Sequence, residues 1–256
     1  MKAVAIIPAH MASIRFPGKI LFPILGLPMI EHVRRRALMA NSIAEVIVAT
    51  CDKTIASIVH NFGGRVVMTS DTHKNGTSRV AEAVSQMSCT HVMLLQGDEP
   101  LVLPRHIDGM VKAVQAHPVA DVWNATGPIE YVDELDRPSF VKCIVSKHGR
   151  IMLCFRRTPA YCSFDQQKLI VRKILGLIMF RREFLLKIQT LEVGIIELSE
   201  SIEQMRILEH DFHLQSVPLS LSSPSVNEPH EIEAVLKCIE ESSEQRQILK
   251  NVFAYT

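Results

Sequence analysis

The strongest fold signal in the sequence is Lys2-Ala-Val-Ala-Ile-Ile-Pro8, an almost uninterrupted apolar run. A parallel strand that is buried on both faces requires such a run. Similar short runs predict strands at residues 44–50, 65–68 and 91–96, and helical patterns predict helices at residues 28–40, 55–62 and 77–87. This alternation predicts an α/β fold with a doubly wound, mostly parallel sheet that is covered by helices.

The pattern changes after about residue 120. Strand signals at residues 121–129 and 141–146 and an apolar run at 176–180 predict a smaller, mixed sheet with insertions. Helical patterns predict one helix at residues 199–210 and one long closing helix at residues 231–250.

In the predicted helix at residues 28–40, apolar residues recur on one face and Glu31, Arg34 and Arg35 lie on the other.

Composition excludes several classes of function. The 256 residues carry 28 Lys and Arg against 27 Asp and Glu, with no long run of one charge, so neither nucleic acid nor a membrane surface is an expected partner. No apolar run approaches the roughly 20 residues that span a bilayer, and we expect a soluble, cytoplasmic protein. The six cysteines include no C-x-x-C pair, which predicts free thiols and no zinc site.

Two loops at the carboxyl ends of predicted strands carry the chemistry. Ligands of open α/β sheets bind at that edge. The loop after the first strand, residues 8–19, contains Ser13, Arg15, Gly18 and Lys19. Amide donors and cations of this kind suit a polyphosphate, although a solvated surface connection has a similar composition. The loop after the fourth strand contains Asp98, which could hold Mg²⁺ over a phosphate or cap a helix.

An ordered series of motifs resembles one family. Residues 8–21 read PAHMASIRFPGKIL, against the pattern P-A-R-x-x-S-x-R-[LF]-P-G-K-x-L of the sugar-acid cytidylyltransferases. Further matching segments follow in order: VATCD at 48–52, HKNGTSRVAE at 73–82, QGDEP at 96–100, FRRTP at 155–159, GL at 176–177 and ELSESIEQMR at 197–206. The resemblance covers nearly the whole chain, and the CMP-Kdo synthetases are the members that it resembles most.

The resemblance implies a reaction, a cofactor and an assembly. CMP would pass from CTP to the anomeric hydroxyl of a 3-deoxy-2-keto sugar acid, with release of pyrophosphate and with Mg²⁺ as cofactor. A homodimer is implied. Within a single domain, residues 1–120 would form the nucleotide-binding half and residues 121–256 the sugar-binding and dimerisation half.

The resemblance also implies a role for particular residues. Those implied to bind the nucleotide are Ala9, His10, Ser13, Arg15, Gly18, Lys19, Gly76, Thr77, Arg79 and Gln96. Those implied to bind the sugar acid are Gln96, Arg157, Glu200 and Gln204, and a guanidinium such as that of Arg157 can form a bidentate pair with a carboxylate. Asp98 and Asn227 would bind the metal, and the implied catalytic residues are Arg15, Lys19 and Asp98.

The sequence departs from the family pattern at five positions. His10 stands where the family has arginine, and Cys51 and Asn227 stand where it has aspartate. Ile174 and Ile178 replace a histidine and a tyrosine of the sugar side. These departures leave two alternatives open: transfer to a different acid, such as an amino-sugar acid, another carboxylate or a phosphonate, or a relative that binds CTP without catalysis.

Overall fold

The computed structural model describes residues 1–220 and 222–255, which belong to two compact units. The first unit comprises Met1–Gly109 and the segment from Ser223 onward, and the second comprises Met110–Ser222. The division drawn from the sequence at residue 120 placed the carboxyl-terminal segment in the second half, whereas the structure places it in the first unit.

The first unit contains the predicted parallel strands. They are β1 (Ala3–Ala9), β4 (Glu45–Thr50), β5 (Arg65–Met68) and β6 (His91–Leu95); a short antiparallel ribbon is formed by β2 (Pro23–Ile24) and β3 (Leu27–Pro28). Strand β1 pairs in parallel with β4 on one side and β6 on the other, and β5 extends the sheet beyond β4. All seven residues of β1 are buried, as the apolar run predicts.

The helices of this part of the chain follow the strands in the predicted order. They are α1 (Met29–Leu38), α2 (Lys53–Asn61), α3 (Gly76–Val84) and α4 (Pro104–Ala116). Sequence analysis did not predict α4, which carries the chain from the first unit into the second.

The charged face of α1 is buried. The Glu31 carboxylate accepts hydrogen bonds from Arg34 at 2.7 and 2.8 Å and from Arg35 at 3.1 Å. Arg35 also donates to the Val252 carbonyl at 2.8 Å. The carboxyl-terminal segment therefore covers the polar side of this helix, and the ion pairs on α1 compensate for the loss of water.

The second unit contains strands that pair in mixed orientation. Its strands are β7 (Val122–Gly127), β8 (Lys142–Val145), β9 (Ile151–Phe155), β10 (Val171–Arg181) and β11 (Leu214–Pro218). Strand β7 pairs in parallel with β11 and antiparallel with β10, and β8 pairs antiparallel with both β10 and β9. Sequence analysis missed β9 and β11.

The helices of the second unit are short. They are α5 (Phe164–Ile170), α6 (Arg182–Ile188), α7 (Ile195–Glu200) and α8 (Gln204–Glu209). The prediction of one helix at residues 199–210 is wrong, because Ser201 has a left-handed φ of 53° and ends α7. An ion pair of 2.6 Å between Glu197 and Arg206 joins the two helices.

The closing segment is also two helices, α9 (Glu231–Glu241) and α10 (Ser243–Ala254). The predicted single helix at residues 231–250 is wrong, because Ser242 is extended and caps α10 by accepting a hydrogen bond from the Gln245 amide at 3.2 Å. Val235 and Ile239 of α9 pack with Met29 and Leu101 in one apolar cluster of the first unit.

Two further expectations concern the whole chain. The six cysteines are free thiols, as predicted. Over residues 1–220 and 222–255, no helix has the length and apolar character needed to cross a membrane.

The cap of α10 gives a stability prediction. Ser242→Ala should lower the free energy of unfolding by about 1 kcal/mol, because it leaves a helix-terminal amide without its acceptor. Urea unfolding followed by circular dichroism measures this loss. Ser243→Ala, one residue further on, is the matched control, and equal losses in the two variants would contradict the assignment of the cap.

Candidate active site

The loop after β1 folds back on itself. The Met11 carbonyl accepts hydrogen bonds from the Ser13 amide at 2.9 Å and the Gly18 amide at 3.0 Å, and the Ser13 hydroxyl accepts one from the Phe16 amide at 3.4 Å. Gly18 has a φ of 72°, a left-handed conformation that glycine adopts without strain. Ser13 and Gly18 therefore shape the loop that presents Arg15 and Lys19.

A carboxylate that sequence analysis did not assign fixes the start of this loop. Asp52 follows β4, the parallel neighbour of β1, and its Oδ2 accepts a hydrogen bond from the Met11 amide at 2.9 Å. Its position at the end of a neighbouring parallel strand was the available signal, because such strands end at the same edge of the sheet.

Lys19 joins the two loops that sequence analysis singled out. Its Nζ lies 2.6 Å from Asp98 Oδ2 and donates a second hydrogen bond to the Val226 carbonyl at 2.8 Å. The side chains of Lys19 and Asp98 are 13% and 22% exposed. The pair is therefore largely shielded from water, yet a ligand can still reach it.

Asn227 is held next to this pair. The Val226 amide donates to the Asp98 carbonyl at 2.9 Å, which fixes the preceding residue against the second loop. Asn227 Oδ1 accepts a hydrogen bond from the Arg15 guanidinium at 3.1 Å. The Glu231 carboxylate, at the start of α9, accepts the Asn227 amide at 2.5 Å. The predicted metal-binding residues thus lie on adjoining segments of the first unit.

The amino terminus of α3 lies at the same edge of the sheet. Asn75 caps the helix by accepting a hydrogen bond from the Ser78 amide at 2.9 Å. A Cβ on Gly76 would lie 3.2 Å from Pro8 Cγ and 3.8 Å from Gln96 Nε2. A larger residue would press on the Pro8 ring, so glycine favours this close approach of the helix to the end of β1, and the helix dipole favours an anion at this end.

Arg79 has a mainly structural set of contacts. It is buried and donates to the Thr69 hydroxyl at 2.6 Å and to the Ser70 carbonyl at 3.1 Å. The Glu82 carboxylate accepts the Ser70 amide and a hydrogen bond from His73. These contacts hold the segment that leads into α3 at the edge of the site.

These segments enclose a cavity of about 680 Å³ within the first unit. Small-molecule sites typically have volumes of about 300–1,000 Å³. Its lining includes eight of the predicted nucleotide-binding residues, namely Ala9, His10, Ser13, Arg15, Lys19, Gly76, Arg79 and Gln96, together with Asp98. The lining also includes residues that sequence analysis did not assign: Met11, Cys51, Asp52, Asp71, His73, Lys74 and Asn75. Gly18 and Thr77 adjoin lining residues in the chain.

The charges of the lining favour an anionic ligand that carries a bound cation, because the cavity offers both cationic and acidic side chains. Four cations, on Arg15, Lys19, Lys74 and Arg79, face three carboxylates, on Asp52, Asp71 and Asp98. Asp52 is engaged by the Met11 amide, and Arg79 by Thr69 and Ser70.

His10 is electrostatically distinct from the arginine of the family pattern. Desolvation and then the nearby cation of Arg79 lower the pKa of its imidazole below the ordinary 6.5, with a smaller contribution from Lys19. The imidazole is therefore neutral at neutral pH, and His10 brings a hydrogen-bonding group rather than a charge to the cavity.

The remaining predicted sugar-binding residues lie in the second unit. Arg157 follows β9 and is exposed. Glu200 Oε2 accepts the Arg156 amide at 3.0 Å, and Gln204 Nε2 donates to Asn124 Oδ1 at 3.1 Å. Asn124 is fully buried and was missed by sequence analysis, because a polar residue inside an apolar strand gives no periodic signal.

The two isoleucines that depart from the family pattern lie on β10. Ile178 pairs with Asn124 of β7 and is buried, and Ile174 pairs with Thr126 and is partly buried. Both side chains are therefore apolar positions of the sheet, next to the polar Asn124 and Thr126.

The donor set of the site fits one divalent cation that is shared with a ligand. Among the described residues, no three His, Cys, Asp or Glu side chains are grouped as a preformed metal site. Mg²⁺ is commonly held by one or two carboxylates together with phosphate oxygens and waters, rather than by protein groups alone. Asp98 supplies one such carboxylate in the cavity lining, and Asn227, whose amide oxygen accepts from Arg15, could add an uncharged oxygen.

A parallel sheet with a cationic loop and an acidic loop at its carboxyl edge is typical of nucleotide-binding enzymes. The sequence model of the cytidylyltransferases matches residues 4–215. The chain is 37% identical to the 3-deoxy-manno-octulosonate cytidylyltransferase of Geobacter metallireducens over 93% of this chain and 97% of that protein. It is 34% identical to the protein of that name from Escherichia coli, over 91% and 94% of the two chains.

Solved structures give the same result. A CMP:2-keto-3-deoxy-manno-octonic acid synthetase complexed with CTP superimposes with a TM-score of 0.87 and 32% identity, over 94% of this chain and 99% of that one. The chain belongs to the cytidylyltransferase family. The fold and the family predicted from the sequence are confirmed, whereas the roles of individual residues stay predictions.

The environment of His10 gives a titration prediction. In nuclear magnetic resonance spectra, the His10 imidazole should titrate with a midpoint below 6.5, because burial and neighbouring cations disfavour its charged form. Added inorganic tripolyphosphate should raise this midpoint, because an anion stabilises the imidazolium. His10→Gln assigns the resonance. A midpoint at or above the ordinary value would contradict the desolvation and the effect of the Arg79 cation described for the ring.

Proposed function

We propose that this protein transfers CMP from CTP to the anomeric hydroxyl of 3-deoxy-manno-octulosonate (Kdo) and releases pyrophosphate. The observation that carries the proposal is the Lys19–Asp98 pair, which brings the cationic loop and the acidic loop to one cavity. The two 3-deoxy-manno-octulosonate cytidylyltransferases described above match the chain over nearly its whole length.

The cationic loop is the proposed triphosphate site. A triphosphate carries roughly four negative charges, and Arg15, Lys19 and Lys74 supply positive charge around the cavity. Bound phosphate oxygens would compete with Asp98 for the Lys19 ammonium. Lys19 would then neutralise charge on the triphosphate, and the Asp98 carboxylate would become available to another cation.

The reaction asks the protein for positioning and charge neutralisation. The acceptor hydroxyl attacks the α-phosphate in line, and pyrophosphate leaves from the opposite side. Arg15 and Lys19 would stabilise the charge that develops on the leaving group, in a partly dry site where such contacts are strong. His10 is neutral, so it would orient a phosphate by hydrogen bonding rather than by charge.

Mg²⁺ is the proposed cofactor, with Asp98 and Asn227 as its protein ligands. When bound, the ion would polarise the phosphoryl group and lower the pKa of the attacking hydroxyl. Asn227 contributes an oxygen without charge. We therefore assign to Asp98 most of the negative charge that balances the cation.

The second unit carries the proposed acceptor ligands. Arg157 is suited to the acceptor carboxylate, and Gln204, oriented by Asn124, to a hydroxyl. The apolar Ile174 and Ile178 motivate a wider acceptor panel, with an amino-sugar acid and a phosphonate as comparison substrates.

We also propose a homodimer that acts in the cytoplasm, where CTP is available.

The function is tested by pyrophosphate release from CTP and Mg²⁺ with each acceptor in turn. We expect release with Kdo and a new phosphodiester in the ³¹P spectrum. Release with only a different acid would move the assignment to that acceptor, and CTP binding without release for any acid would indicate a non-catalytic relative.

A matched pair of variants controls the assay. Asp98→Asn should reduce turnover by about 10²–10³-fold, because one electrostatic contributor in a dry site is typically worth a few kcal/mol. Asp165→Asn removes an exposed carboxylate of the second unit and should leave the rate unchanged. Equal rates in the two variants would remove Asp98 from the reaction.

The metal assignment predicts a change in Mg²⁺ dependence. Asn227→Asp should lower the Mg²⁺ concentration for half-maximal rate, because it adds a second negative ligand. Asn251→Asp, on the exposed surface of α10, adds the same charge elsewhere. If both variants show the Mg²⁺ dependence of the wild type, Asn227 lies outside the metal site.

A further inference from the structure

Arg156 is a charged residue that the proposed chemistry does not use. It lies in the segment FRRTP at residues 155–159. It directly precedes Arg157, the residue suited to the acceptor carboxylate.

The main chain of Arg156 is held on both sides. Its amide donates to Glu200 Oε2 at 3.0 Å, and its carbonyl accepts a hydrogen bond from Lys142 Nζ. Lys142 is fully buried and also donates to the Arg137 carbonyl at 2.9 Å. Burial lowers the pKa of Lys142 to about 8, which leaves the ammonium mostly charged at neutral pH. The peptide group that joins Arg156 to Arg157 is thus fixed by a buried cation.

The guanidinium of Arg156 is bound by three backbone carbonyls. Nε donates to the Glu200 carbonyl at 2.7 Å, and the two terminal nitrogens donate to the Pro138 carbonyl at 2.7 Å and the Ser201 carbonyl at 2.9 Å. Glu200 and Ser201 form the carboxyl end of α7, where helix carbonyls lack partners within the helix and attract a cation.

These contacts separate the roles of the two arginines. Each guanidinium nitrogen of Arg156 already donates to the main chain, and these contacts tie its own segment to Pro138 and to the end of α7. The side chain of Arg157 is instead exposed, and it projects from a main chain that these contacts hold in place. A binding residue whose main chain is ordered in advance loses less conformational freedom when it engages the substrate.

We propose that Arg156 is a positioning residue, which ties the segment after β9 to the carboxyl end of α7 and so preorganises Arg157 for the carboxylate of the acceptor. This inference rests on the proposed function. Arg156 itself would not contact the substrate. Its loss affects the acceptor and leaves the nucleotide cavity of the first unit unchanged.

Steady-state kinetics of Arg156→Ser, which removes the guanidinium, test the proposal. We expect the KM for Kdo to rise about tenfold or more. The reason is that displacing a substrate-positioning group such as Arg157 by about 1 Å can lower the efficiency of an enzyme by up to about 100-fold. The KM for CTP should change less than twofold. Arg156→Lys can donate to only some of the three backbone carbonyls, and it should therefore give an intermediate KM for Kdo. Lys147→Ser, which removes an exposed cation of the same unit, should match the wild type.

Hydrogen exchange provides a readout that does not depend on turnover. In Arg156→Ser, the amides of residues 157–158 and 200–202 should exchange at least tenfold faster than in the wild type, whereas amides of the first unit should not change. If the wild type does not use Kdo, the proposed function fails, and this measurement still decides whether Arg156 holds the segment.

Two results would overturn the positioning role. One is an unchanged KM for Kdo together with unchanged exchange at these amides. The other is a parallel rise in both KM values with faster exchange throughout the chain, which would show a general loss of stability. If Arg156→Ser does not fold, the intermediate variant Arg156→Lys is judged by the same criteria.

Discussion

The site depends on one topological constraint, the parallel pairing of β1 with β6. Because neighbouring parallel strands end at the same edge of a sheet, the loops that follow them must meet there. The 2.6 Å ion pair between Lys19 and Asp98 is the result of that meeting. In the absence of a ligand, the two opposite charges offset each other. A triphosphate with a divalent cation would replace that pair by two new pairs, Lys19 with a phosphate and Asp98 with the cation, so that the charges would remain balanced.

The carboxyl-terminal segment completes the same edge. The Val226 main chain bonds both Lys19 and Asp98, and Glu231 at the start of α9 holds the Asn227 amide. The packing of α9 and α10 on the first unit is therefore part of the architecture of the site. In the second unit, Arg156 has a similar role, since it ties the segment that carries Arg157 to a helix end. In both units, residues outside the proposed chemistry fix the main chain of residues within it.

Local patterns predicted strand β1, all of whose residues are buried. The apolar run at β1 and the matched motifs located both loops, because each is encoded in a few adjacent residues. The breaks at Ser201 and Ser242 were missed, since a single left-handed or extended residue does not interrupt helical periodicity. Glu31 and Arg34 form a polar face in sequence but are buried in the fold. The role of Asn124 depends on its contact with Gln204 of α8, which is 80 residues away in the chain, and only the tertiary structure supplies that contact.

Anomalous diffraction from crystals grown with CTP and Mn²⁺ tests whether Asp98 shares a cation with the triphosphate, because carboxylate and phosphate oxygens suit Mn²⁺ as they do Mg²⁺. We expect a manganese peak within bonding distance of the Asp98 carboxylate and of the triphosphate, with the Lys19 ammonium moved from Asp98 to a phosphate oxygen. A manganese peak away from Asp98, with the Lys19–Asp98 pair intact beside bound CTP, would contradict it.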